Sequence, residues 1–164
     1  MDIFDEELIK FWTSLNVNGV KYIMVGGVAT TLNGHPSLTA VIEIWIDDTL
    51  ENRIKLRAAF KEYGLGDIEL LLKINFIPGW TDFHLNNGLR LDILTSLKGL
   101  ENYTFEESLE MASIANIKGV EIPFLHINQL IINKKTVNRL KDQIDVTYLE
   151  KIQEIIPKDE NKEP

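Results

Sequence analysis

Few side chains in this sequence have the type and spacing to do chemistry. Glu43 stands in the run Thr39 to Asp48, where Ile42, Ile44 and Ile46 alternate with Val41, Glu43, Trp45 and Asp47. One strand face is therefore apolar and the other carries a carboxylate. Asp92 stands in a second alternating run, Leu89 to Thr95, on the face it shares with Arg90. A glycine pair, Gly26-Gly27, follows the β-type run Lys21 to Val25, and the cations Lys134, Lys135, Arg139 and Lys141 gather in the C-terminal third. Carboxylates hold divalent cations, a glycine pair at a strand-to-helix turn lets backbone approach a phosphate, and basic side chains answer the phosphate's charge. Each feature also has a plainer reading: a tight turn, a solvated strand residue, an Arg90–Asp92 ion pair, a charged helix face turned to water. The residue types alone leave both readings open.

Other chemistries are excluded or disfavoured. No cysteine occurs among the 164 residues, so no disulfide, thiolate nucleophile or cysteine zinc site exists, and His35, His84 and His126 share no ligand spacing. Lys and Arg number 17 against 25 Asp and Glu, a formal charge of -8, which lacks the basic footprint of sequence-independent nucleic-acid binding. No apolar run approaches the ~20 residues of a membrane span, and Met1 to Glu7 is acidic where a secretory leader is basic. The expected location is the cytoplasm. Trp12, Trp45 and Trp80 read first as packing residues, with Trp45, on Glu43's face, alternatively bordering a base pocket.

The elements that must position these residues follow from pattern. Leu8, Phe11, Trp12 and Leu15 have the spacing of an amphipathic helix over 5–16, with Glu6 and Glu7 in its first turn. A short strand ends at the glycine pair, and Val28 to Asn33 reads as a helix closed by Gly34. Thr49 caps a helix over 50–63 that Gly64 ends, whereas 67–76 fits neither helix nor strand period. Asn87-Gly88 signals a tight hairpin with positive φ, and Lys118-Gly119 separates two further β-like runs. Thr104 to Glu107 is a capping box that opens a helix to about Ser113. From about Ile127 to Ile156 two helices are expected, with Leu140, Ile144, Tyr148 and Leu149 among their apolar positions. The fold class is α/β or α+β, a small mixed sheet flanked by helices. The expected division is an α/β domain over 1–125, a helical segment over 126–156 packed on it, and a disordered tail over 157–164.

The runs Tyr22 to Ala29 and Gly34 to Ile46 resemble the signature of the polymerase-β-like nucleotidyltransferase superfamily. Leu91-Asp92-Ile93-Leu94-Thr95-Ser96 with Gly99, Ile122 to Leu125, and Lys134-Lys135, Arg139, Lys141-Asp142 and Asp145 extend the likeness over roughly 20–150. The branch it resembles is the small bacterial group of minimal nucleotidyltransferases and abortive-infection toxins. The resemblance implies a nucleotidyltransferase fold and transfer of NMP from an NTP to a hydroxyl acceptor, with Mg²⁺ as cofactor. It further implies Glu43 and Asp92 as catalytic, metal-binding acids, and Gly26, Gly27, Thr39, Lys135 and Arg139 as nucleotide contacts.

The departures from that family shape the expectation. Its strand usually carries Asp, any residue, Asp, with an arginine four positions before the first Asp; here those positions read Val41, Glu43 and Ser37. Valine cannot replace a carboxylate, and Asp47 lies four residues beyond Glu43, ~13 Å by strand rise, too far to join the same cage. The expected function is a nucleotidyltransferase-like protein with impaired transfer and NTP as partner, nucleic acid being less favoured. The alternative is a non-catalytic pseudo-nucleotidyltransferase that binds a nucleotide or a partner protein, as in a toxin-antitoxin pair.

Overall fold

The computed structural model describes residues 1–81 and 83–157; the expected disordered tail falls, after Pro157, outside the described residues. Helix α1 (Glu6–Val17) leads into β1 (Tyr22–Met24), α2 (Gly26–Leu32), β2 (Val41–Ile46) and α3 (Leu50–Tyr63). A short 3-10 helix over Glu69–Leu72 occupies the stretch whose periodicity fits neither regular element. Then come β3 (Phe83–His84), β4 (Arg90–Leu94), α4 (Phe105–Met111), the hairpin β5 (Ser113–Ile117) and β6 (Val120–Phe124), and the final helices α5 (Ile127–Val137) and α6 (Leu140–Ile155). Among the described residues no helix is long and apolar enough to cross a membrane.

The strands form one sheet in the order β3-β4-β2-β1-β6-β5. Strand β2 runs antiparallel to β1 and parallel to β4. This parallel register fixes the site, because it pairs Val41 with Arg90, Glu43 with Asp92 and Trp45 with Leu94. Ile42 and Ile44 pair with Leu91 and Ile93, and all four are buried. Phe11 of α1 packs edge-on to Tyr63 at 5.5 Å and against Phe60 at 6.2 Å, which ties α1 to α3.

Several expectations are corrected. The glycine pair does not precede α2 but forms its first turn. In the Asn87-Gly88 hairpin only Gly88 takes a positive φ, 84°, and Leu85 and Leu89 close a three-residue loop. The tight two-residue turn is instead Lys118-Gly119, with φ of 50° and 84° between the paired Ile117 and Val120. Trp12 and Trp45 are buried as packing residues, but Trp80 is 85% exposed. On α6, Val146 and Leu149 are buried, whereas Leu140, Ile144 and Tyr148, spaced four residues apart, stay at least half exposed or nearly so.

Candidate functional site

A cleft opens where the polar face of β2 and β4 meets α5 and α6. It has two lobes of about 330 and 360 Å³ that share Gly26, Glu43, Pro78, Lys134, Arg139 and Asp142. The lobe over the sheet adds Gly27, Thr39, Val41, Gly79, Arg90, Asp92 and Lys141. Glu43, Asp92, Gly26, Gly27, Thr39 and Arg139 thus converge on one cavity. Lys135 does not: its ammonium pairs with Glu150 on the outer side of α5 and α6, and Lys134 reaches the cleft in its place.

The glycine turn and Glu43 are fitted to each other. Gly26 has φ of 60°, and a Cβ there would sit 2.6 Å from the Glu43 Cδ. A Cβ on Gly27 would meet the Thr39 Cγ2 at 2.6 Å. Thr39 Oγ1 accepts from the Val41 N–H at 3.1 Å and donates to its carbonyl at 3.0 Å, which fixes the entry to β2. Burial pushes the Glu43 carboxyl above its ordinary range, and the charge of Asp92 adds to this. The charge of Arg139 opposes burial more than Asp92 adds to it, and Lys134 opposes it less.

Asp92 is engaged as well. Its side chain is 5% exposed, with Oδ2 3.1 Å from the Arg90 Nη2 and Oδ1 3.5 Å from the Gly79 N–H. Across the cleft, buried Lys134 lies 2.8 Å from Asp145 and 3.4 Å from Asp142, and Arg139 donates from Nε to Asp142 at 2.8 Å. Burial alone would raise the Asp142 carboxyl, but bonds from the Arg139 side chain and backbone, with the Lys134 charge, hold it below its ordinary range. His35 sits outside this lining, stacked on Tyr148 at 4.3 Å with Nε2 3.4 Å from Asp145. Trp45 packs edge-on to Phe105 at 5.4 Å and lines a neighbouring hollow with Asp47 and Asp48 rather than the cleft.

This donor set does not fit a two-ion Mg²⁺ site. Among the described residues no group of three or more acidic or imidazole side chains is placed to hold a metal. Val41, which lines the lobe two residues before Glu43, offers no oxygen ligand, and Asp92 already holds a guanidinium. Ser37, where the family carries arginine, is buried with an unpartnered hydroxyl.

Lys134, one of the C-terminal cations named from the sequence, takes the place in the cleft expected of Lys135, and the Pro78-Gly79 loop is added to the lining. Lys134 had a signal: it lies three and four residues after the buried Ile131 and Leu130, so the helical period turns it inward and Lys135 outward. Pro78 and Gly79 had none, being loop residues brought to Asp92 only by the path of the chain.

The six-stranded mixed sheet flanked by helices is the nucleotidyltransferase fold, as its likeness to two solved structures shows. The chain is similar over 90% of its length to the lincosamide antibiotic adenylyltransferase LnuA in its lincomycin-bound crystal structure, covering 97% of that chain at 18% identity and a TM-score of 0.58. It is also similar to an antigenic nucleotidyltransferase-like protein from Paracoccidioides brasiliensis, over 94% of this chain and 78% of that one, at 12% identity and a TM-score of 0.58. No protein-family model matches the sequence, and no curated protein matches it.

Proposed function

We propose that the cleft binds a nucleoside triphosphate and that its capacity for nucleotidyl transfer is severely impaired. The observation that carries this reading is the Val41–Arg90 pair beside the Glu43–Asp92 pair. In the ordinary reaction an acceptor hydroxyl attacks the α-phosphorus, the bond to pyrophosphate breaks, and a carboxylate takes the hydroxyl proton. Here a valine occupies one acid's place and Asp92 is neutralised by a guanidinium, so Glu43 alone remains to act as base. The cations survive: Lys134 and Arg139 line both lobes, and Lys141 lines the lobe over the sheet. With Lys134 held by Asp142 and Asp145, the exposed Arg139 and Lys141 keep charge for holding phosphates while the apparatus for moving them is depleted.

The test is nucleotide titration with pyrophosphate release followed in parallel. Binding without release supports the reading, and Val41→Asp combined with Glu43→Asp, with or without Ser37→Arg, is expected to gain release. Robust Mg²⁺-dependent release by the natural sequence, lost in Glu43→Ala and Asp92→Ala, would overturn it.

A second reading, a protein-binding module as in a toxin-antitoxin pair, is favoured by the exposed stripe Leu140, Ile144 and Tyr148 on α6. Stable co-purification with a native partner, lost in Ile144→Asp, would support it.

A further inference from the structure

Arg90 is the residue that the family resemblance does not account for. It stands opposite Val41 in the parallel register, one pair before Glu43 and Asp92, so its charge enters on the strand beside the missing carboxylate. One Nη2 hydrogen bond neutralises the nearly buried Asp92. The guanidinium has five donors in a planar fork. Its Nε is buried without a partner, and the side chain is still 39% exposed toward the cleft it lines.

We infer that Arg90 takes the place of the divalent cation, making the cleft a metal-independent site for a nucleoside triphosphate. This rests on the nucleotide-binding reading above. A divalent ion bridging Glu43 and Asp92 would have to displace a guanidinium from a desolvated carboxylate. A phosphate chain faces no such obstacle. Around the sheet lobe Arg90, Lys134, Arg139 and Lys141 match the carboxylates Glu43, Asp92, Asp142 and Asp145, the last 2.8 Å from Lys134, so the lining is balanced in a chain of net charge -8, and the exposed Arg90, Arg139 and Lys141 are the cations open to a phosphate. Phosphate oxygens can take the remaining fork donors of Arg90 directly, as charge-assisted hydrogen bonds. The substitution of Val41 for an acid and the presence of Arg90 are then one change of design: a carboxylate cage for metal has become a cationic cradle for the anion itself.

The experiment is calorimetric titration of the full chain with ATP, GTP, CTP and UTP, in EDTA and in Mg²⁺, for the natural sequence, Arg90→Gln and Arg90→Lys. Thermal melts establish that each variant is folded. At least one nucleotide is expected to bind in EDTA within about threefold of its affinity in Mg²⁺. Arg90→Gln is expected to weaken the EDTA binding about tenfold or more, and Arg90→Lys to retain most of it. Binding that requires Mg²⁺ and is unchanged in Arg90→Gln overturns this inference and leaves the nucleotide-binding reading standing. No binding in either condition overturns both.

Discussion

Glu43 and Gly26 form a matched pair whose chemistry can be separated by substitution. The carboxyl fills the space a Cβ on Gly26 would need, and Gly26 holds a φ of 60° that L side chains rarely adopt. Gly26→Ala is therefore expected to cost about 2 kcal/mol or more in stability, read by denaturant unfolding, because both backbone strain and displacement of Glu43 act together. Glu43 itself is held above its ordinary carboxyl range by burial first and by Asp92 second. The folded state thus keeps a proton that the unfolded chain has lost, so stability falls as pH rises from the ordinary carboxyl value of 4.5 through the raised folded value. Glu43→Gln cannot ionise. Its melting temperature should match the natural protein's in acid and exceed it increasingly as pH rises through that window. A variant that melts lower at neutral pH would show that Glu43 is stabilised by its surroundings instead.

At the scale of elements, the sequence was most readable where local rules act alone. Thr49 accepts from the Asn52 N–H at the start of α3, Gly64 ends that helix at φ of 111°, and Thr104 and Glu107 form the reciprocal cap of α4. The hairpins were harder because the residue signals did not rank them. Asn87-Gly88 has the stronger dipeptide signal for a two-residue loop, yet Asn87 keeps a negative φ and the strands close one residue further apart. Lys118 accepts the left-handed conformation without a favourable side chain, as the pairing of Ile117 with Val120 leaves only two residues to turn. Lys118→Asn should stabilise by about 0.5 kcal/mol, since asparagine tolerates positive φ. The exposed Lys118 bond to the Phe4 carbonyl is a small loss against that gain. An unchanged melting temperature would mean that this bond is worth as much as the strain.

At the scale of the molecule, the two acids were legible because strand alternation is local, but their partners were not. That Arg90 would neutralise Asp92 was one of two readings open on the shared strand face. That Arg90 would stand opposite Val41 depended on the parallel register of β2 and β4, which no local pattern encodes. Likewise the Lys134–Asp142–Asp145 cluster joins α5 to α6 and needs the helix crossing to exist. Asp142→Ala should cost about 3 kcal/mol, the low end for breaking a buried pair, as Lys134 keeps Asp145. Asp142's contribution is present above its unfolded value of 3.8 and disappears as pH falls through its depressed folded value, so the variant's deficit should shrink in acid.

The same molecule-wide balance of charge gives the most direct measurement: nucleoside triphosphate affinity of the natural sequence and Glu43→Gln, each in EDTA and in Mg²⁺. In a cationic cradle Glu43 repels the phosphates, so Glu43→Gln is predicted to bind tighter in EDTA and no weaker in Mg²⁺. In a metal cage Glu43 is indispensable, and Mg²⁺-dependent binding that Glu43→Gln abolishes would contradict the account.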